Sequence, residues 1–97
     1  MVIKGNTIKE VDHRMGYDIG SVQNQIGHFA VRVTTPENPF MPEKHGGQRF
    51  WYILEGEAVV TVDGEKTDVE AGDLVLLAPW TLHSLQTDTS VRWICFG

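Results

Sequence analysis

The chain has 97 residues, of which 41% are hydrophobic and 22% charged, and its net charge is -5. This length and composition are typical of a single globular domain over residues 1–97 and exclude a disordered chain. The acidic balance argues against a nucleic-acid partner, which needs a basic face. No apolar run approaches the ~20 residues that cross a bilayer, so no membrane partner is expected either.

The cysteine and the amino terminus bear on the compartment. A lone Cys95 forms no intrachain disulfide and no Cys-rich zinc site. The first residues meet a charge and a glycine before any apolar stretch, unlike a secretory signal. We therefore expect a cytoplasmic protein in which Cys95 is a buried, inert thiol within an apolar strand.

Short β-rich runs, separated by Gly, Pro, Asn and Asp, predict an all-β fold. Eight to ten strands at this spacing are typical of a sandwich or a small closed barrel, in which closure removes exposed edges. In chain order the predicted strands are 7–11 and 21–26, both weak, then 28–34, 40–45, 49–55, 58–62, 65–69, 74–77, 81–86 and 91–96.

The clearest local signal is a hairpin. Asp63 and Gly64 separate two strand-like runs, and this pair supplies the positive φ angles of a type I′ turn. Gly56 is expected to end the strand that begins at Arg49, and a turn around Gly72 leads into the next apolar strand.

Strand periodicity indicates which side chains converge, because residues two apart share a face. Glu43 and His45 then point the same way, as do Arg49 and Trp51 on the following strand. If these faces and that of His83 line one interior, a carboxylate and two imidazoles meet there. Such a set has the composition of the 2-His-1-carboxylate triad, which holds a divalent metal and leaves positions open.

The same residues carry a family resemblance. The stretch 43–56 is similar to the first cupin motif, G-x5-H-x-H-x3,4-E-x6-G, keeping its second His, its six-residue spacer and its final Gly. The stretch 72–83 is similar to the second motif, G-x5-P-x-G-x2-H-x3-N, through Gly72, Pro79 and His83. The chain thus resembles a small single-domain cupin of the RmlC-like superfamily. That resemblance implies a double-stranded β-helix, or jelly-roll, barrel.

The chain departs from the cupin pattern in both motifs: the second motif does not keep its internal Gly or its Asn, and the first motif differs at two ligand positions. Glu43 stands where the family has its first His, and Arg49 stands where it has its Glu. Only His45 and His83 correspond to family metal ligands. Glu43 is our hypothesis for a third ligand, whereas the protonated guanidinium of Arg49 cannot coordinate a cation.

The expected function is binding of a divalent transition metal by Glu43, His45 and His83. These ligand types suit Zn, Fe, Ni, Mn or Cu without choosing among them. Arg49 inside the barrel favours a small polar or anionic ligand, and Trp51 and Trp80 are candidates to stack on it. The resemblance implies a homodimer and dioxygenase, isomerase, epimerase or lyase chemistry, without selecting one.

Two other functions stay open at this point. One is a metal-free ligand-binding or sensor module that holds an anionic metabolite with Arg49 and the tryptophans. The other is an interaction subunit whose pocket is filled by side chains. For single residues, the two histidines can be structural, Glu43 can be a surface charge paired with Arg49, and the tryptophans can belong to the core.

Overall fold

The computed structural model describes residues 1–20, 23 and 25–97, and within them it confirms the all-β prediction. The helical content of this part is one 3-10 turn, Gly5–Thr7, so none of its helices spans a membrane. The weak strand predicted over 21–26 falls partly on Ser21, Val22 and Asn24, outside the described residues. The strands are β1 Arg14–Tyr17, β2 Phe29–Thr34, β3 Phe40–Glu43, β4 Arg49–Val62, β5 Glu65–Glu70, β6 Leu74–Leu77, β7 His83–Gln86 and β8 Val91–Phe96.

All strand pairs are antiparallel, and they join into one curled sheet. Its path runs β1-β2-β8-β4-β7-β3, while β5 and β6 also pair with β4. Strand β4 therefore has four partners and belongs to both walls of the curled sheet. The inward faces of the two walls enclose the core.

Gly56 does not end a strand, so that prediction was wrong. Strand β4 is 14 residues long and runs through Gly56, and its register against β8 shifts between Ile53 and Glu55. Gly56 has φ +86°, and a Cβ at this position would overlap the carbonyl oxygen of Ser90. The glycine lets the strand bend and lets β8 begin close beside it, which a larger residue would prevent.

The predicted hairpin is confirmed. Asp63 and Gly64 have φ angles of 48° and 86°, as a type I′ turn requires, and Val62 pairs with Glu65 across it. The turn is also fastened from outside, because the Asp63 carboxylate accepts a hydrogen bond of 2.8 Å from the backbone N–H of Leu82. The hairpin thereby holds the segment that leads into β7.

The amino-terminal region differs from the prediction. The weak strand expected over residues 7–11 is absent from the described structure, and the first strand, β1, starts only at Arg14. It follows a tight turn in which Asp12 and His13 have φ angles of 50° and 61°. Neither residue is the glycine that usually announces such a turn, so the sequence pattern hid both the turn and the strand.

The interior is filled by large side chains. Phe40 packs edge to face against Trp51 and Trp93, with ring centroids 5.3 and 5.1 Å apart, and the two indoles are tilted by 59° at 4.9 Å. The indole N–H of Trp93 donates to the hydroxyl of Thr34 at 3.1 Å, which satisfies a buried donor. The full core cluster is Phe40, Trp51, Ile53, Ala58, Val60, Val69, Leu77, Leu85, Val91, Trp93 and Cys95.

Candidate functional site

Strand pairing brings the carboxylate of Glu43 and the imidazole of His83 together. Glu43, the last residue of β3, lies directly opposite His83, the first residue of β7. Opposed residues of two strands share a face, so both side chains project to the same side. The chain after β3 then returns His45 to them, and its Nε2 lies 2.9 Å from Glu43 Oε1. One potential ligand atom from each of the three residues lies within 4.8 Å of the others.

His83 is held with one nitrogen bonded and the other free. Its Nδ1–H donates to the backbone carbonyl of Thr81 at 3.0 Å, which fixes the tautomer and leaves the lone pair on Nε2. Nε2 is buried and has no hydrogen-bond partner; the nearest carboxylate oxygen, of Glu43, is 4.0 Å away. Burial lowers the pKa of His83, so the imidazole is neutral near pH 7.

Aromatic rings support the His83 imidazole from inside the barrel. Trp51 meets it edge to face at 5.1 Å, and Phe40 lies parallel to it at 6.4 Å. Trp51 is only 1% exposed. The side chain that we considered as a ligand platform therefore lies beneath His83, within the core.

Trp80 lies beside His45, whereas Arg49 begins strand β4. Trp80 is 70% exposed, and its backbone N–H donates to the carbonyl of His45 at 2.6 Å. Its indole lies so close to Gly46 that a Cβ there would come within 2.8 Å of the ring. Arg49 is half-buried and donates to the Gln48 carbonyl at 3.3 Å. The ion pair with Glu43 that we considered does not form among the described residues.

The sequence reasoning missed a second polar contact inside the barrel. His28 Nε2 lies 3.1 Å from the sulfur of Cys95. Burial lowers the pKa of His28 and raises the pKa of the Cys95 thiol, so both groups are neutral and the contact is a hydrogen bond between an imidazole and a thiol. The prediction that Cys95 is buried is confirmed. The sequence did carry a signal for this contact, because His28, Ala30 and Arg32 are two residues apart and therefore share one face of β2 and of the residue before it.

The Glu43–His45–His83 cluster has the donor chemistry of a metal site. Two imidazole nitrogens and a carboxylate oxygen suit a divalent transition ion, and three protein ligands leave positions for other groups. The unpartnered Nε2 of His83 is the atom that fits this use best, because a buried acceptor without a hydrogen bond is otherwise unfavourable. His45 and Glu43 are about one-third and two-fifths exposed, so the cluster is open to solvent on one side.

Comparison with known proteins agrees with this architecture. Residues 30–97 match the model of the cupin domain. The chain belongs to the cupin family. It is 28% identical over 82 residues to an uncharacterized protein of Methanocaldococcus jannaschii, covering 84% of this chain and 62% of that one. It is 32% identical over 68 residues to a gentisate 1,2-dioxygenase of a Streptomyces species, covering 67% of this chain but 19% of the enzyme.

Solved cupin structures share the fold. The structure of a predicted oxalate decarboxylase from Thermotoga maritima superposes with a TM-score of 0.83 at 21% identity, covering 99% of this chain and 96% of the other. The jelly-roll cupin barrel expected from the motifs is thereby confirmed. This cupin chain spans less than two thirds of the length of both sequence relatives named above.

Proposed function

We propose that this cupin binds a divalent transition metal ion through Glu43, His45 and His83, and that it acts beside the ion on a small polar or anionic molecule. The unpartnered, buried Nε2 of His83 carries the proposal. Its partner nitrogen is already fixed by Thr81, and burial favours the neutral, ligand-competent imidazole. Zn, Fe, Ni, Mn and Cu all suit this donor set.

The other two ligands are poised to join His83. The Nε2–H of His45 donates to Glu43 at 2.9 Å, and a cation can take the place of the shared proton. The carboxylate also offsets the positive charges of the ion and of Arg49; burial, and to a smaller extent the Arg49 charge, lower the pKa of His83. In this proposal Glu43 is the metal ligand at the position where the family pattern has a histidine.

A bound ion supplies Lewis-acid polarisation of a substrate oxygen. The residues of this chain then position and stabilise the substrate. Arg49 offers guanidinium donors to negative charge on the substrate, and Trp51 keeps water from the inner side of His83. Trp80 borders the exposed side. The reaction types we propose are those of a dioxygenase, an isomerase or a lyase.

Two named relatives support an anionic substrate. Gentisate and oxalate, which appear in the names of the Streptomyces dioxygenase and the Thermotoga protein, are both carboxylates. A homodimer is also part of the proposal. It is supported by exposed apolar side chains on the outer face of β4 and β6, with Tyr52, Leu74 and Leu76 exposed by 38%, 50% and 63%.

The first prediction concerns metal content. Untagged protein incubated with Zn²⁺ or Mn²⁺ and then desalted should retain nearly one ion per chain by elemental analysis. His83→Ala should lose this ion, and Glu43→Gln should weaken its retention by more than about tenfold, because each removes a ligand. Glu43→Gln changes an exposed side chain, so the fold should persist and its loss of metal is interpretable.

His13→Ala is the matched control, since it removes an imidazole from an exposed turn far from the cluster in sequence. It should retain the ion as the parent does. A parent protein that stays metal-free after incubation contradicts the metal proposal. Equal retention by the parent, His83→Ala and Glu43→Gln contradicts the ligand assignment.

A second candidate function is a metal-free binding or sensor module that holds an anionic metabolite with Arg49 and the tryptophans. The hydrogen bond between His45 and Glu43 favours it, because both groups are satisfied without an ion. Under this alternative, mass spectrometry of denatured, metal-free protein finds a released anionic metabolite. Trp80, exposed at the rim, would then be the stacking surface, while Trp51 keeps its place beneath His83.

A further inference from the structure

Two arginines face each other on neighbouring strands without an anionic partner. Arg14 on β1 lies directly opposite Arg32 on β2. Like charges in this arrangement repel one another and destabilise a sheet. No carboxylate lies within 4.0 Å of either guanidinium among the described residues. An oxyanion between the two would turn the repulsion into attraction.

The Arg32 guanidinium is positioned by the core. It lies 4.9 Å from the centroid of the Phe40 ring and 5.7 Å from that of Trp93. Cation–π stacking of this kind fixes the plane of a guanidinium and leaves its edge N–H groups available to an acceptor. Burial and the nearby charge of Arg14 both lower the pKa of Arg32, although the group stays protonated at physiological pH.

Arg14 is directed by a glycine. Its Nη1 lies so close to Gly16 that a Cβ there would come within 2.5 Å of it. Gly16 therefore leaves room for the Arg14 side chain to fold back along β1. Because Arg14 shares a face of β1 with Gly16 and lies opposite Arg32, its guanidinium lies over a bare stretch of backbone on the face of the sheet that also carries Arg32.

These groups line a cleft of about 530 Å³, which is within the range of small-molecule sites. Lys9 adds a third positive charge, and Asp12 is the acidic residue of the lining. The cleft thus has an excess of two positive charges in a chain whose net charge is -5. A basic cleft on an acidic protein is selective for anions by charge.

We propose that the Arg14–Arg32 cleft binds the carboxylate or phosphate group of a small molecule, with the two guanidiniums as its donors. Arg49 is not among the residues that line this cleft. The site extends the proposed function by giving the anionic group of the ligand a second set of donors, but it needs no metal. Experiments on metal-free protein therefore test it even if the metal proposal fails.

The test is a titration of metal-free, ¹⁵N-labelled protein with malonate and with inorganic phosphate, followed by the arginine Nε–Hε signals. Sodium chloride at equal ionic strength is the reference. The signals of Arg14 and Arg32 should shift with at least one probe beyond the effect of chloride. A stronger response to malonate assigns a carboxylate ligand and a stronger response to phosphate assigns a phosphate; either result supports the site.

Variants distinguish this site from general charge attraction. Arg32→Gln should weaken probe binding by roughly tenfold or more, because a charge-assisted bidentate contact is lost, and Arg32→Lys should fall between it and the parent. Arg92→Gln is the control: it makes the same charge change at an exposed arginine that pairs with Glu55. It should bind the probe like the parent.

Gly16→Ala gives an independent test in which every charged residue of the cleft is kept. It moves the flexible end of Arg14 without removing any charge, so probe affinity should fall although net charge is unchanged. Circular dichroism should show that each variant keeps the parent's fold. Shifts no larger than those with chloride would overturn the proposal, as would equal affinities of the Arg32→Gln, Arg92→Gln and parent proteins.

Discussion

The two halves of strand β4 meet different surroundings. Residues 49–56 pair with β6 and β8, and their inward side chains include Arg49 and the indole of Trp51. Residues 57–62 pair with β5 and β7, and their buried side chains are those of Ala58 and Val60. The first half, which begins with the cation of Arg49 and buries Trp51 beside Ile53, is the aromatic half, whereas the second, aliphatic half buries no aromatic side chain.

The site needs both halves of β4, for different reasons. The aliphatic half fixes position, because Val62 pairs with His83 and so sets where the first residue of β7 begins. The aromatic half supplies the environment, because Trp51 packs against the His83 ring at 5.1 Å. The barrel therefore positions His83 through strand pairing in one region and lowers the pKa of His83 by burial in another.

The largest effect on stability is expected when Trp51, the main side chain of the aromatic half, is removed. Trp51→Ala leaves a cavity beneath His83, so the free energy of unfolding should fall by about 3–5 kcal/mol. Urea denaturation measures the change. Trp51→Phe retains a ring and should lose less, which keeps the test usable if the alanine variant does not fold.

Trp80→Ala is the matched control, because it removes the same side chain from a position that is 70% exposed. Its loss of unfolding free energy should stay within about 0.5 kcal/mol, as is usual for surface substitutions. Equal destabilisation by Trp51→Ala and Trp80→Ala would contradict the assignment of Trp51 to the core.

Local rules recovered the part of the site that lies on regular strands. Alternation placed His83 on the inward face, and the cupin motif spacing pointed to His45. What alternation cannot supply is pairing between strands distant in sequence: that Glu43 lies opposite His83, or that Arg14 lies opposite Arg32, depends on how the sheet closes. The Arg14–Arg32 pair therefore could not be predicted before the topology was known.

The backbone exceptions also escaped prediction, for a different reason. A glycine in a strand reads equally as an end or as a bend, and only the approach of Ser90 decides that Gly56 is a bend. The turn at Asp12 and His13 places two non-glycine residues at positive φ. Positive φ is uncommon outside glycine, so the sequence pattern gave no signal for this turn.

The junction between the halves offers the second test. Gly56→Ala places a side chain at positive φ and against the Ser90 backbone. The free energy of unfolding should therefore fall by about 1–2 kcal/mol because of the backbone conformation and by a further 1–3 kcal/mol, roughly, because of the overlap. Gly64→Ala meets the same φ of 86° with open space around it. Its free energy of unfolding should fall only by the conformational contribution, about 1–2 kcal/mol.

Chemical denaturation of the two variants and the parent separates these terms. The difference between Gly56→Ala and Gly64→Ala isolates the close approach of β8 to the bend, because the φ angle is shared. If the two variants were equally stable, the bend would tolerate a Cβ and the halves of β4 would not depend on a glycine joint.

The smallest expected effect concerns pH and the cationic end of the aromatic half. Burial, and then the charges of Arg49 and Arg14, lower the pKa of His28 below its ordinary value of 6.5. As the pH falls below about 6.5, the unfolded chain takes up a proton that the folded protein resists, so the free energy of unfolding decreases. Stability from this source is complete above that pH. Burial lowers the pKa of His83 in the same direction, so two imidazoles contribute.

His28→Gln removes one of these two contributions. Between about pH 7 and pH 5, metal-free His28→Gln should therefore lose less unfolding free energy than the parent does, even if its stability at pH 7 is lower because the contact with Cys95 is changed. Urea denaturation at a series of pH values gives both slopes. A variant slope as steep as the parent's would mean that His28 takes up its proton as readily in the folded barrel as in the unfolded chain. The cation at the start of β4 would then have no measurable influence on the imidazole inside the barrel.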